Sequence, residues 1–573
     1  MKKNLLFAFL FSSLSALTAQ IQFTEAGAET GFGLLGRSYG ISLGDYDNDG
    51  DDDIYVARHK GANDHSHVLL QCREGGNFVE VTEEVGLTYK GTPHQALWGD
   101  TDNDGDLDLF IICRDESSLL YRNNGGTFTD ISTAAGINAY NRAGKAAIFF
   151  DADNDGFLDI YVANLYTDNE LWMNNGDNTF TDETHLRGVN DNQIAMGSTA
   201  FDYDNDGDQD LYLTHDGNQE YILFENDGNG YFTDVGEASG TNYAGQGMGV
   251  DVADINNDGY MDIYITNLSA NTLFVNNGDK TFTDVSDASG TTDPGMGWGA
   301  AFTDIDNDGL RDIYMANDSY FSPNPNRLYH NSGDNTFADI TVEQGMESMF
   351  GGYGVACSDF NNDGREDIFL ANSGDNDANQ LFRNDTQNEF NYIKIKVKGT
   401  QSNAAAIGAR VEVTADGILH IDDVTSGMSY SAASSLTMHF GLGTAQMIEN
   451  LTVRFPSGEV AEFTDLEVNR TYVVTEDAEL TTAVRDVSAA VTKFSVQPTL
   501  LNDAATVGLS LQEATDINLT VTDINGRILR TLFTGHAAEG SHNFSWSAAE
   551  LPAGVYLVRL QSEIGTKVIK TVK

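Results

Sequence analysis

Basic residues are scarce in this chain: 31 Lys and Arg stand against 87 Asp and Glu in 573 residues, a formal charge of −56. That surplus excludes nucleic acid and anionic membrane surfaces as direct partners. Cysteine is nearly missing too. Cys72, Cys113 and Cys357 cannot build a disulfide framework, so buried free thiols are expected. Beyond the first twenty residues no segment is apolar enough to cross a bilayer. The apolar stretch Leu5 to Leu17, behind Lys2 and Lys3, reads as a secretion signal ending near Ala19, which makes residues 1–19 a removable leader. No His-Glu-x-x-His is present, and no catalytic residue is assigned.

Aspartate is abundant, and it is periodic. One loop, Asp-x-Asp/Asn-x-Asp-Gly-x-x-Asp, occurs seven times. Its candidate metal ligands are Asp45, Asp47, Asp49 and Asp53; Asp100, Asp102, Asp104 and Asp108; Asp151, Asp153, Asp155 and Asp159; Asp202, Asp204, Asp206 and Asp210; Asp254, Asn256, Asp258 and Asp262; Asp304, Asp306, Asp308 and Asp312; and Asp359, Asn361, Asp363 and Asp367. Alternate side chains of a tight loop converge, and an all-oxygen set suits a hard cation. Calcium is expected, in up to seven structural ions, with magnesium the poorer fit. Without a cation, carboxylates roughly 5 Å apart repel by about 3 kcal/mol per pair at an effective dielectric of ~20. A glycine follows the third ligand each time (Gly50, Gly105, Gly156, Gly207, Gly259, Gly309, Gly364), where the turn calls for positive φ.

The loops recur every 50–55 residues, a period of propellers and other repeat arrays. Each runs into a short apolar strand, such as Ile54 to Val56 or Ile160 to Val162. Half a period later stands Phe-Thr-Asp or a variant, at Phe23, Phe78, Phe128, Phe180, Phe232, Phe282 and Phe337. The first phenylalanine precedes the first loop and none follows the seventh. A last repeat left without its outer strand would expose a sheet edge, and the strand near Phe23 supplies the missing piece. The expected fold is therefore all-β: a seven-bladed calcium-binding β-propeller over residues 20–388, followed by two small β-sandwich-like domains at 389–478 and 491–573, with a linker at 479–490. A straight solenoid is the alternative, and it would need a cap at each end.

The strands leading into the loops carry polar and aromatic residues at equivalent positions. His94, Lys145, Gln246, Trp298 and Tyr353 would gather around a central channel and form a candidate ligand surface, against ordinary packing of innermost strands. His59, His65 and His67 with Asp64 form a further local cluster that could hold zinc or simply be a solvated polar loop. His439 reads as a packed residue beside Phe440 and Gly441.

With its following Ile-Tyr-Val strand and Phe-Thr-Asp partner, the acidic loop resembles the FG-GAP/VCBS repeats of integrin-like β-propellers over residues 23 to about 388. The resemblance implies the calcium-bound propeller and leaves activity open, because that fold hosts adhesion modules, lectins and some polysaccharide lyases. Residues 400–475 resemble the ASPIC/UnbV domain of cartilage acidic protein relatives, through Ala406-Ile407-Gly408-Ala409-Arg410-Val411, Met438 to Gly443, Arg454 to Gly458 and Asn469-Arg470. Residues His420 to Ser435 depart from that pattern. The last eighty residues are similar to the sorting domain of type IX secretion, through Asp523 to Arg527, Leu551 to Leu557 and the basic end Lys567 to Lys573. That similarity implies export across the outer membrane to the cell surface or medium, with the secretion machinery as a partner. Together these features lead to the expectation of a secreted or surface-displayed monomer that binds a glycan or protein partner in adhesion or recognition. A secreted polysaccharide lyase built on the propeller is the alternative.

Overall fold

The computed structural model describes residues 21–482 except 60–66, 74, 115 and 138–142, and beyond them 491–497, 504–511, 515–523, 527–538, 540–547, 555–562 and 565–573. The leader at 1–19, His65 and Asp64 of the histidine cluster, and residues 483–490 of the linker lie outside the described residues. The linker's first part, Leu480–Thr482, is a strand paired with Tyr472–Val474.

The chain is all-β with only single-turn helices among the described residues. Within residues 23–384 seven sheets repeat one plan, beside a two-stranded pair of Gln219–Glu220 with Ala244–Gly245. An innermost strand leads into an acidic loop, the next strand leaves the loop and pairs back antiparallel, and two shorter strands complete the sheet. In the third sheet these strands are Gly144–Phe150, Asp159–Asn164, Glu170–Asn174 and Phe180–Asp182. Alternation explains the pairing: Ile160 and Val162 turn to one side and Tyr161 to the other, all buried between neighbouring sheets. The seventh sheet is completed from the other end of the chain, where Phe23–Glu25 pairs with Phe382–Asn384. Each innermost strand lies beside the next, and Gly352–Ser358 lies beside Arg37–Gly44.

Residues 392–482 build two further four-stranded sheets. Their apolar faces, with Ile393, Ile395, Val411, Leu451 and Phe455, share one cluster with Leu97, Phe149 and Leu158 of the repeats. The segment 424–435 leaves these sheets and enters the space between the innermost strands. Phe149 N donates to Ser426 O at 3.2 Å, Ser429 N to Val250 O at 2.7 Å and Ile41 N to Ser431 O at 3.2 Å, while Ala432–Ala433 pairs parallel with Ile41–Ser42. Close approach demands glycine here: a Cβ on Gly249 would stand 2.5 Å from Trp298 O and 3.0 Å from Tyr430 N. The C-terminal strands form a three-stranded and a four-stranded sheet around Val507, Leu519, Trp546 and Val558.

Candidate functional site

Each acidic loop folds around its own backbone. In the third loop, Asp151 accepts hydrogen bonds from Asp155 N at 3.1 Å and Gly156 N at 2.9 Å, and Asp155 accepts one from Phe157 N at 2.9 Å. The seven loop glycines have φ between 87° and 98°, as the turn requires. The fourth aspartate is the most buried and has a second task. Asp159 takes Ala152 N at 2.9 Å on one oxygen and Asn174 N at 2.7 Å on the other, which clamps the loop to the third strand of its sheet. Asp108, Asp210 and Asp262 repeat this geometry.

The convergence expected from the spacing is present. Ligand atoms of Asp45, Asp47 and Asp53 lie within 4.8 Å of one another, as do those of Asp100, Asp102 and Asp108, of Asp151, Asp153 and Asp159, and of Asp202, Asp204 and Asp206. Burial, reinforced by neighbouring carboxylates, pushes Asp100 up to about 6 and Asp151 up to about 7. Asp45 Oδ1, Asp47 Oδ1, Asp102 Oδ1, Asp153 Oδ1 and Asp367 Oδ2 are buried with no hydrogen-bond donor. These oxygen-only sets fit a hard divalent cation, which would satisfy the unpaired oxygens and reverse the cost of their proximity.

The loops are not equivalent, because the chain's own cations enter several of them. Lys396 Nζ lies 2.8 Å from Asp45 and Lys394 Nζ 2.9 Å from Asp359. Arg187 lies 3.1 Å from Asp153, and Lys280 pairs with Asp204. In the sixth loop the donor set changes: His330 joins Asp306 and Asp312 within the 4.8 Å cluster. The Asp306 carboxylate raises the His330 imidazole to about 9 against the opposing pull of burial, with Asp312 and Asp308 adding to the effect.

Two sets of asparagines escaped the sequence reading. The fourth loop residue is asparagine in all seven copies, and each has positive φ: Asn48, Asn103, Asn154, Asn205, Asn257, Asn307 and Asn362. Five donate through Nδ2 to the glycine carbonyl of the next loop, as Asn103 does to Gly156 O at 2.8 Å, and Asn362 reaches from the seventh loop to Asp51 beside the first at 2.8 Å. Their Oδ1 atoms form a socket for the second unit. Asn103 accepts Ala404 N at 2.8 Å, Asn205 accepts Arg410 Nη1 at 2.8 Å, Asn307 faces His439 Nε2 at 2.7 Å and Asn362 accepts Lys394 Nζ at 3.0 Å. The other set, Asn123, Asn174, Asn226, Asn276, Asn331 and Asn384, ties each sheet to the loop of the sheet before, as Asn174 does through Thr101 O at 2.9 Å. Asparagine recurring at the fourth loop position of all seven repeats, and at the end of the third strand in six, was the available signal.

The candidate ligand ring is occupied by the chain itself. Tyr430 is fully buried, with its ring 4.6 Å from Trp298, 6.0 Å from Tyr353 and 5.6 Å from His94, and Trp298 stacks on Tyr353 at 4.4 Å. Lys145 is half-buried on the innermost strand Gly144–Phe150, and Gln246 is half-buried just ahead of Gly247–Ala253. His67 is committed to Tyr55, whose hydroxyl lies 2.9 Å from Nδ1, and burial lowers its imidazole to about 4. His439 stacks on Tyr392 at 5.3 Å and is buried, the packing role expected of it. All three cysteines are buried and free.

At the strand ends away from the acidic loops, large apolar side chains are exposed. Tyr320, Phe321, Met349 and Phe350 lie on connections of the sixth and seventh sheets, and Leu35 lies just ahead of the first innermost strand. Asp377, which accepts the Tyr320 hydroxyl at 2.9 Å, and Asp318 stand among them.

Comparison with known proteins finds similarity along most of the chain. Residues 485–565 match the FlgD Ig-like domain model, and residues 399–481 match the ASPIC and UnbV model. Cartilage acidic protein 1 of Xenopus tropicalis is 25% identical over 471 residues, covering 74% of this chain and 71% of that protein. The Homo sapiens protein is 26% identical over 473 residues, covering 74% and 69%. Among solved structures, an Agrocybe aegerita lectin with specific recognition of non-reducing terminal N-acetylglucosamine overlaps at a TM-score of 0.36 and 20% identity, over 53% of this chain and 79% of the lectin. PorZ, a surface component of the type IX secretion system of Porphyromonas gingivalis, overlaps at a TM-score of 0.22 and 11% identity, over 93% and 81%. The FG-GAP-like repeat model matches six overlapping two-loop segments, 45–111, 100–162, 151–213, 202–265, 254–315 and 304–370. Across that span, more than half its length, the chain belongs to the FG-GAP-like repeat family.

Proposed function

We propose that this protein is an extracellular recognition module: a closed, seven-bladed, calcium-stabilised propeller that binds a glycan on the face away from its acidic loops. The exposed patch of Tyr320, Phe321, Met349, Phe350 and Leu35 carries this reading. Flat aromatic rings accept the apolar faces of sugars, and the buried Asp318 and Asp377 hold Tyr320 and its neighbours in place beneath them. A contiguous exposed apolar patch on an otherwise highly charged chain marks an interaction site. The acidic loops are the opposite case, since the second unit sits on their face and leaves them a structural task. Support for ring closure comes from the return of Gly352–Ser358 to Arg37–Gly44 and from the N-terminal strand that completes the seventh sheet.

Export to the cell surface or medium follows from the leader at 1–19 and from the basic, sorting-domain-like C-terminus, with type IX secretion as the route. Residues 20–388, 389–478 and 491–573 are the domains of this reading. A glycan array probed with the calcium-loaded protein tests it. Tyr320→Ala with Phe321→Ala should weaken retention at least ~10-fold, as loss of two aromatic anchors does. Undiminished retention by that variant would overturn the assignment of the face, and release of unsaturated, ultraviolet-absorbing sugars would replace recognition with lyase chemistry.

A further inference from the structure

One register position of the third strand can bring a side chain to the acidic loop of its sheet, as Gln71 reaches Asp47 and His330 reaches Asp306. Strand register defines it as the residue opposite the second member of Phe-Thr-Asp: His330 opposite Ala338, with Gln71, Arg122, Met173, Glu225, Val275 and Arg383 as its equivalents. Only the sixth sheet places an imidazole there. His330 Nε2 is itself buried, has no hydrogen-bond partner and lies 3.6 Å from Asp306 Oδ2. Asp306 is 5% exposed, and its Oδ1 likewise has no donor. The His330 nitrogen therefore reaches Asp306 only through an ion pair longer than a hydrogen bond, and the other Asp306 oxygen is left for a cation to satisfy.

We infer that the sixth loop, with Asp306, Asp312 and His330 as ligands, is a site for a zinc-class transition-metal ion, distinct in chemistry from the six oxygen-only loops. Imidazole binds zinc and its neighbours in the first transition row in preference to calcium, which favours six or more hard oxygens. Asp304, Asp308 and Asp312 also accept backbone N–H groups, Asp312 from Ile305 N at 3.1 Å and Asn331 N at 2.7 Å, while Asp306 is the loop carboxylate held by none. Asp304 is bound by Asp308 N at 3.1 Å and Gly309 N at 2.8 Å, and Asp308 by Leu310 N at 2.9 Å. This inference rests on the reading of the loops as cation sites, and it adds that one of them discriminates.

The test uses the full chain, stripped with chelator, reloaded with ~1 mM calcium, an extracellular-range concentration, and then titrated with cobalt(II) as the spectroscopic probe. Wild type should retain one cobalt equivalent against calcium, with ligand-field absorption of a nitrogen-containing site, and zinc should displace it. His330→Gln should weaken cobalt binding by more than the ~100-fold that loss of even an outer-shell partner can cost. Met173→His should create a second equivalent in the third loop, an arm that does not depend on how the His330 variant folds. His330→Lys separates a ligand from a counter-charge: cobalt uptake unchanged in this variant would overturn the inference. So would a wild type that holds calcium but no cobalt, which leaves the loop reading intact. If neither ion binds, elemental analysis of the same samples shows that the loop reading has failed as well.

Discussion

The two faces of the repeat region are built from the ends of the same strands, yet they differ in chemistry. On one, seven acidic loops are joined by asparagine side chains and covered by a second unit whose Lys394, Lys396 and Arg410 reach into them. On the other, tyrosine, phenylalanine, methionine and leucine stand in solvent. The loop face is crowded with buried charge, so its groups are costly to disturb. The opposite face buries polar groups too, among them Asn164, His215, Asn317 and Asn372, but the large side chains exposed above them can change with little effect on stability. A repeat protein can thus devote one end of every sheet to holding itself together and leave the other end for contact.

Chelation should break this contrast most severely. Removing bound divalent ions is expected to lower the melting temperature by ~20 °C or more, because the loop carboxylates that no side-chain cation reaches are then uncompensated and several ions are lost together. An unchanged calorimetric melt after chelation would remove the metal from the fold. Next in size is Asp159→Ala, which strips two buried backbone N–H groups of their partner and should cost about 3–5 kcal/mol in denaturant melts. Asp168→Ala, outside any loop, should stay within ~0.5 kcal/mol. Equal losses would deny the fourth loop aspartate its clamping role.

A smaller effect lies within the second unit. Burial opposes the ionisation of Glu476, but hydrogen bonds from Ser457, Gln401 N, Thr400 N and Ser402 outweigh it and hold the carboxyl at about 2. A folded value below the unfolded one means that the native state binds fewer protons. The contribution, about 2–3 kcal/mol, is therefore complete above pH ~4.5 and is lost as pH falls toward 2. Glu476→Gln should remove that acid dependence from the melts, and a variant with the wild-type pH profile would refute it. Smallest in stability is Tyr320→Ala with Phe321→Ala, expected within ~0.5 kcal/mol per site while binding is lost. If that variant instead unfolded, the exposed patch would be structural and the contrast between the faces would disappear.

Much of this was legible in the sequence because repetition supplied its own controls. The spacing of Asp151, Asp153, Asp155 and Asp159 announced a converging loop, and the unmatched Phe23 announced the strand that completes the seventh sheet. The candidate ring of His94, Trp298 and Tyr353 was located as a group, yet its occupant was not. Tyr430 comes from residues 420–435, which were noticed only as a departure from a family pattern. His330 shows the same limit: it lies outside the loop motif, and only the register of its strand turns it toward Asp306.

The sequence by itself determined the number of loops, their oxygen chemistry, the β class and the strand order within each repeat, because local spacing and alternation fix which side chains share a turn or a face. Only the tertiary structure decided which cations enter which loops, that Lys396 meets Asp45 across 351 positions, and that segment 424–435 fills the centre. Such contacts join residues whose separation carries no periodic signal. They form when buried charges and apolar faces must find partners in space, and those partners depend on how whole sheets pack rather than on local sequence pattern.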